Sequence, residues 1–73
     1  MGGNIKGVGL PKIKRGGYIF VTWIGDHSPY HVHVFQDGRE ILKYDLENYR
    51  VMSGRVNSRL LKIIRDLIKE GVI

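Results

Sequence analysis

The sequence predicts an α+β fold, in which a small antiparallel β-sheet of three to four strands carries one C-terminal helix on one face (ββββα). Short segments rich in β-branched and aromatic residues are separated by turn residues, which is typical of consecutive antiparallel strands. The C-terminal segment instead repeats its apolar residues at helical spacing. With 73 residues, the chain has room for a single core.

The N-terminal segment differs in composition from the rest of the chain. Residues 1–10 hold four glycines without apolar periodicity, so we expect a flexible arm there and a single α+β domain over residues 11–73. Gly16 and Gly17 predict a turn before the first strand. The four strands are predicted at residues 18–24, 30–36, 40–46 and 49–52.

The turn between the second and third strands decides which side chains face the core. A two-residue loop at Asp37 and Gly38 would mix histidines with leucines on one face. A three-residue loop that also includes Arg39 separates apolar from polar side chains, and we therefore expect the longer loop. The resulting cross-strand pairs are Val34 with Leu42, Val32 with Tyr44, His33 with Lys43 and His31 with Asp45.

The C-terminal helix is predicted at residues 58–70. Asn57 is a favourable N-cap, and Gly71 is a typical C-terminal stop. One arc of this helix is apolar and consists of Leu60, Leu61, Ile63, Ile64, Leu67 and Ile68. The opposite side carries four cations, Arg59, Lys62, Arg65 and Lys69. These four are candidate nucleic-acid-binding residues, with an ordinary solvated helix face as the alternative.

Charge and cysteine content narrow the classes of function. The net charge is +5, and both ends of the chain are basic around an acidic middle, which suits a nucleic acid or an acidic partner. The absence of cysteine excludes disulfides, thiolate metal sites and cysteine nucleophiles. The sequence has neither an apolar run long enough to span a membrane nor a secretory leader, so we expect a cytoplasmic protein without a membrane partner.

All three histidines fall within seven residues, and they support two chemical hypotheses. In the first, His31 and His33 hold a divalent metal such as zinc or nickel, because residues i and i+2 of a strand project from one face. His27 is the third candidate ligand, and Asp26 and Asp45 are the alternatives. In the second, His31 and His33 act as acid and base on RNA, Lys43 holds the phosphate and Asp45 sets a histidine tautomer. The alternative is a set of polar residues on the outer sheet face, which requires no cofactor.

A predicted apolar surface lies beside the histidines. Val21, Trp23 and Phe35 share their sheet face if the first strand joins in antiparallel order. One helix covers only one face of a sheet, so we expect this set to form the interface of a homodimer or of a complex with a cognate small protein. A stacking platform for RNA bases is the alternative.

The chain resembles a family of small prokaryotic proteins with a domain of unknown function. The resemblance rests on Pro11-Lys12-Ile13, on Gly17, on residues 26–33, where the family has a Pro-Pro-His-X-His signature, and on residues 45–54. Tyr30 stands where the second proline is usual. Family members are often encoded beside another short gene, so the resemblance implies a toxin–antitoxin-like pair.

The sequence thus favours a non-enzymatic binding protein from such a pair, which engages a partner protein or RNA. The competing hypothesis is a ribonuclease that uses the His-X-His strand, with or without metal.

Overall fold

The computed structural model describes residues 12–22 and 29–73, and this part of the chain forms an antiparallel sheet with a C-terminal helix. The elements are β1 (Lys12–Arg15), β2 (Tyr18–Val21), β3 (His31–Gln36), β4 (Arg39–Asp45), β5 (Arg50–Gly54) and α1 (Ser58–Lys69). The strands lie side by side in chain order. The predicted α+β class is confirmed, whereas the predicted arm at residues 1–10 lies outside the described residues.

The sheet has five strands in the described part of the chain, one more than the upper end of the prediction. The additional strand is β1, which pairs with β2 from Lys12 opposite Val21 to Arg15 opposite Tyr18. Gly16 and Gly17 form the tight turn between them, and both have positive φ, as two-residue hairpin turns require. The prediction missed β1 because its KIKR sequence contains one apolar residue and shows little alternation.

The β3–β4 hairpin keeps the predicted core pairs but reaches them by another route. The predicted three-residue loop is wrong: Gln36 pairs with Arg39, and the loop is Asp37-Gly38 alone, with positive φ at both residues. A β-bulge that leaves Ile41 without a cross-strand partner then shifts the register by one residue. Beyond the bulge the four predicted cross-strand pairs form, from Val34–Leu42 to His31–Asp45. The bulge therefore produces the same register beyond Val34 that the predicted three-residue loop would have produced.

The bulge also shapes the contact between β4 and β5. The Ile41 carbonyl accepts a hydrogen bond from the Arg55 amide, and it lies where a Cβ atom on Gly54 would stand. Gly54 has φ +87°, a conformation that side-chain-bearing residues rarely adopt. A second bulge leaves Met52 of β5 outside the pairing. Every residue of β5 is exposed.

The core lies between the sheet and α1. Its fully or nearly fully buried side chains are Tyr18, Phe20, Val32, Val34, Leu42, Tyr44, Leu60, Ile64 and Leu67. The sheet members alternate along their strands, and the helix members recur at three- and four-residue spacing. The predicted apolar arc of the helix is thereby confirmed, with its remaining three members packed partly buried around this core.

Contacts at both ends fix the position of α1. Asn57 caps its N-terminus by accepting a hydrogen bond from the Leu60 amide at 2.7 Å. Near its C-terminus, Glu70 accepts a bidentate pair of hydrogen bonds from Arg15 of β1. Between these ends, the Arg59 guanidinium lies 5.7 Å from the centre of the Tyr18 ring. The helix is thus tied to the β1–β2 hairpin.

Two glycine variants test the close approach of β4 and β5. Gly54→Ala and Gly38→Ala each force a side chain into a positive-φ position, at a cost of about 1–2 kcal/mol. A Cβ at Gly38 meets open space, whereas a Cβ at Gly54 overlaps the Ile41 carbonyl and adds ~1–3 kcal/mol. Thermal unfolding followed by circular dichroism should therefore show a clearly lower midpoint for Gly54→Ala. Equal midpoints for the two variants would contradict the described β4–β5 packing.

Candidate functional site

The two described histidines lie together on the sheet face opposite α1. His31 and His33 are separated by one residue on β3, and their ring centres are 4.8 Å apart with the planes inclined by 64°. His31 is buried and His33 is partly buried. In the ladder, His31 lies opposite Asp45 and His33 opposite Lys43, so the predicted grouping of these four residues on one face is confirmed.

Each histidine has a partner that restrains its ring. Nδ1 of His31 lies 2.8 Å from the Pro29 carbonyl oxygen, which only accepts hydrogen bonds, so Nδ1 carries the proton. Nδ1 of His33 lies 3.4 Å from a carboxylate oxygen of Glu40. The contact of Glu40 with His33 was not predicted, because the expected three-residue loop places Glu40 opposite Gln36. The shorter loop and the bulge place it opposite Phe35, on the histidine face.

Asp45 holds the β4–β5 turn together. One of its carboxylate oxygens accepts hydrogen bonds from the backbone amides of Glu47 and Asn48, at 2.8 and 2.9 Å. The other accepts from the Asn48 side-chain amide at 2.8 Å, and the Arg50 guanidinium lies 3.8 Å from it. This arrangement is an Asx turn reinforced by a second side chain. The sequence predicted that Asp45 would set a histidine tautomer, whereas its described hydrogen bonds stabilise a turn.

These bonds determine the ionisation of Asp45. Hydrogen bonding from the Asn48 side chain, supported by the two backbone amides and by Arg50, holds the pKa of Asp45 below its usual value, although burial acts in the opposite direction. The carboxylate therefore stays charged near neutral pH. A carboxylate whose pKa is lowered is a weaker proton acceptor.

The predicted metal site is only partly within the described residues. His31 and His33 supply two ligands on one face, and His27 lies outside the described part of the chain. Across residues 12–22 and 29–73, no group of three or more histidine, aspartate or glutamate side chains is placed to hold a metal ion. Binding of zinc or nickel stays a prediction that depends on His27.

The predicted interface set lies partly on the same face. Ile19 pairs with Phe35, and Val21 pairs with His33, which places Val21 and Phe35 beside the histidines. Val21 is buried in the single chain, whereas Phe35 is half-buried. Trp23 lies outside the described residues. Of the described members of this set, Phe35 therefore has the exposed surface that a second copy of the chain could contact. The homodimer stays a prediction.

The predicted nucleic-acid-binding residues divide between two sides of α1. Arg59, Lys62, Arg65 and Lys69 are all exposed. Arg59 turns toward the β1–β2 hairpin, where it stacks on Tyr18. Arg65 and Lys69 lie on the other side, at the wall of a groove. Of the four predicted residues, only Arg65 and Lys69 therefore lie at the groove.

The groove separates α1 from the end of β4 and the β4–β5 turn. It is open to solvent, encloses about 470 Å³, and is lined by Tyr44, Tyr49, Leu61, Ile64, Arg65, Ile68 and Lys69. Tyr49, in the turn held by Asp45, is 64% exposed and has positive φ. Sequence analysis did not find this groove, because its location depends on where the helix sits across the sheet.

The pH dependence of stability tests the role of Asp45. Because the folded pKa of Asp45 is lowered, its contribution is complete above the unfolded value of about 3.9 and is lost as the pH falls through the folded pKa. Asp45→Asn presents an amide to the Asn48 amide, so we expect it to lower the thermal midpoint by several degrees at pH 7 and much less near pH 3. Asp37→Asn at the exposed hairpin tip is the control. A difference between wild type and Asp45→Asn that does not change with pH would contradict this role.

Comparison with known proteins places these elements in a family. The model of a domain of unknown function (DUF4160) matches residues 17–71, from the turn before β2 to the glycine that follows α1. Searches of curated proteins and of solved structures return no match. Within residues 12–22 and 29–73, no helix has the length and apolarity that membrane spanning requires. The chain belongs to the DUF4160 family of domains of unknown function.

Proposed function

We propose that this protein is a non-enzymatic binding component of a toxin–antitoxin-like pair, which acts in the cytoplasm and engages a negatively charged partner protein or RNA. The observation that carries the proposal is that several carboxylates bond within the chain, whereas the cations on one surface of α1 are exposed to solvent. The described carboxylates that bond within the chain are those of Glu40, Asp45, Glu47 and Glu70. The cations Lys62, Arg65 and Lys69 instead extend from an exposed helix surface.

This distribution favours association with an anionic molecule. A chain with a net charge of +5, four of whose seven acids bond within the chain, presents positive potential at its surface. Such a field accelerates encounters with oppositely charged partners and weakens as salt is added. The proposal therefore implies binding that depends on ionic strength, through a surface that includes α1.

A ribonuclease is the competing function, and the closeness of the His31 and His33 rings favours it. Lys43 lies opposite His33 and could hold a phosphate. Against this hypothesis, the described hydrogen bonds of Asp45 come from donors in its own turn, and they hold its pKa below the usual value. Acid–base chemistry would then rest on the two histidines without the expected carboxylate.

Matched charge reversals test the proposed binding surface. The probes are a short single-stranded RNA and an acidic peptide, each carrying a fluorophore. We expect Lys62→Glu/Lys69→Glu to weaken binding of the preferred probe by about tenfold or more, because it reverses two charges at the contact. Lys12→Glu/Lys14→Glu, on exposed positions of β1, changes the net charge equally and should have a smaller effect. Equal losses in both variants would contradict a surface on α1.

The same RNA separates binding from catalysis. Incubated with the wild-type protein, with EDTA or with added zinc or nickel, it should remain intact. Cleavage that is lost in both His31→Ala and His33→Ala would overturn the non-enzymatic proposal in favour of a ribonuclease. Failure of the wild-type protein to bind either anionic probe at low salt would contradict the proposal as well.

A further inference from the structure

One helix is too narrow to cover this sheet. Strands lie ~4.8 Å apart, so five of them span roughly 20 Å or more, whereas a helix packs beside another at about 8–10 Å. Here α1 is held toward β1 and β2 through Arg15–Glu70 and Arg59–Tyr18, and Ile63 lies close to Gly16. On the other side of the same sheet face, the core-facing Leu42 and Tyr44 of β4 are still buried, whereas Val51 of β5 is 39% exposed, so the space for a second helix lies beside α1 and over β5.

The groove occupies this uncovered strip. Its floor and walls are mainly apolar, with Leu61, Ile64 and Ile68 from α1 facing Tyr44 of β4. Val51 of β5 pairs with Tyr44 of β4, lies on the same sheet face and is 39% exposed. The apolar surface that is open to an occupant therefore comes from the partly buried Leu61 and Ile68 of α1 and from Val51 of β5, whereas Ile64 and Tyr44 are buried. A surface of this kind favours an apolar occupant over water.

The edge of β5 is poorly suited to receive an additional strand. The strand begins with Arg50, carries a bulge at Met52 and is followed by Arg55, and bulges and charges are features that discourage edge-to-edge pairing. A partner that approaches this side therefore finds a better site in the groove than along the strand.

We propose that the groove binds an amphipathic helix of a partner protein, with its apolar side against α1 and β4 and its carboxylates directed to Arg65 and Lys69. This inference rests on the proposed function and specifies its partner. The occupant would pack next to α1 as a second helix on the same sheet face and so complete the covering layer. Its acidic residues would pair with cations that the groove already presents on its wall.

Charge identifies the occupant as a different protein. A second copy of this chain would bring the cations of its own α1 toward Arg65 and Lys69, and like charges in contact are costly. Residues 1–11 contain Lys6 and no acid, so they do not complement the groove. The aliphatic side chains of the lining, Leu61, Ile64 and Ile68, suit leucine-like groups. The two tyrosines of the lining, Tyr44 and Tyr49, are groups on which a nucleobase can stack, so RNA is one arm of the test below.

A peptide selection tests this inference on the full chain. A displayed library of random peptides, each long enough to form four helical turns, would be selected on the wild-type protein. We expect enriched sequences to combine glutamate or aspartate with apolar residues at i, i+3, i+4 and i+7 spacing. Their affinity should fall about tenfold with Arg65→Glu/Lys69→Glu and also fall with Tyr49→Asn, which tolerates the positive φ. The control, Lys12→Glu/Lys14→Glu, reverses two charges on exposed positions of β1, outside the groove lining, and should change affinity far less.

The outcomes separate this inference from the proposed function. Recovery of no acidic amphipathic peptide, or equal loss of binding in both double variants, would overturn the groove site. If a short RNA binds through Arg65 and Lys69 while no peptide does, the binding function stands and the helical partner is wrong. If neither RNA nor any peptide binds, both proposals fail.

Discussion

Burial of one sheet face beneath a single helix is the interaction on which the rest of this structure depends. The strands contribute Val32, Val34 and Leu42, and the helix contributes Ile64 and Leu67, all with essentially no exposed surface. In a chain of 73 residues, so small a core leaves little stability in reserve. The pairing register is correspondingly constrained, because a shift of one residue would exchange the two faces of a strand.

The β4 bulge satisfies that constraint and produces much of the local structure around the histidines. It keeps leucine and tyrosine toward the helix while the hairpin retains its favourable Asp37-Gly38 turn. It also places Glu40 near His33 and directs the Ile41 carbonyl toward Gly54. The arrangement of side chains on the histidine face is therefore a consequence of the register that buries the core face beneath α1. This origin favours a structural role for much of that polar cluster.

The sequence was sufficient for features that depend on local periodicity, and insufficient for those that depend on tertiary placement. Alternation predicted β3 and β4 and the face on which His31 and His33 lie, and helical spacing predicted the burial of Ile64. The bulge escaped prediction because a longer loop gives the same inner pairs. The turn-forming role of Asp45 was detectable in the sequence, because an aspartate three residues before an asparagine at a predicted turn is typical of a side-chain-stabilised turn. Asp45 was instead assigned to setting a histidine tautomer. No sequence pattern indicated the groove, because the lateral position of α1 follows from contacts between residues distant in sequence, such as Arg15 and Glu70.

The central claim is that α1 covers one side of the sheet and leaves the β5 side open to a partner. Residue-resolved amide hydrogen exchange of the free protein tests it most directly, because exchange reports local opening. The structure predicts slow exchange for β3, the central strand beneath the core, and for the core-facing positions of α1. It predicts much faster exchange along β5, where every residue is exposed. Protection of β5 as strong as that of β3 in the free monomer would contradict an open side and, with it, the proposed site for a partner.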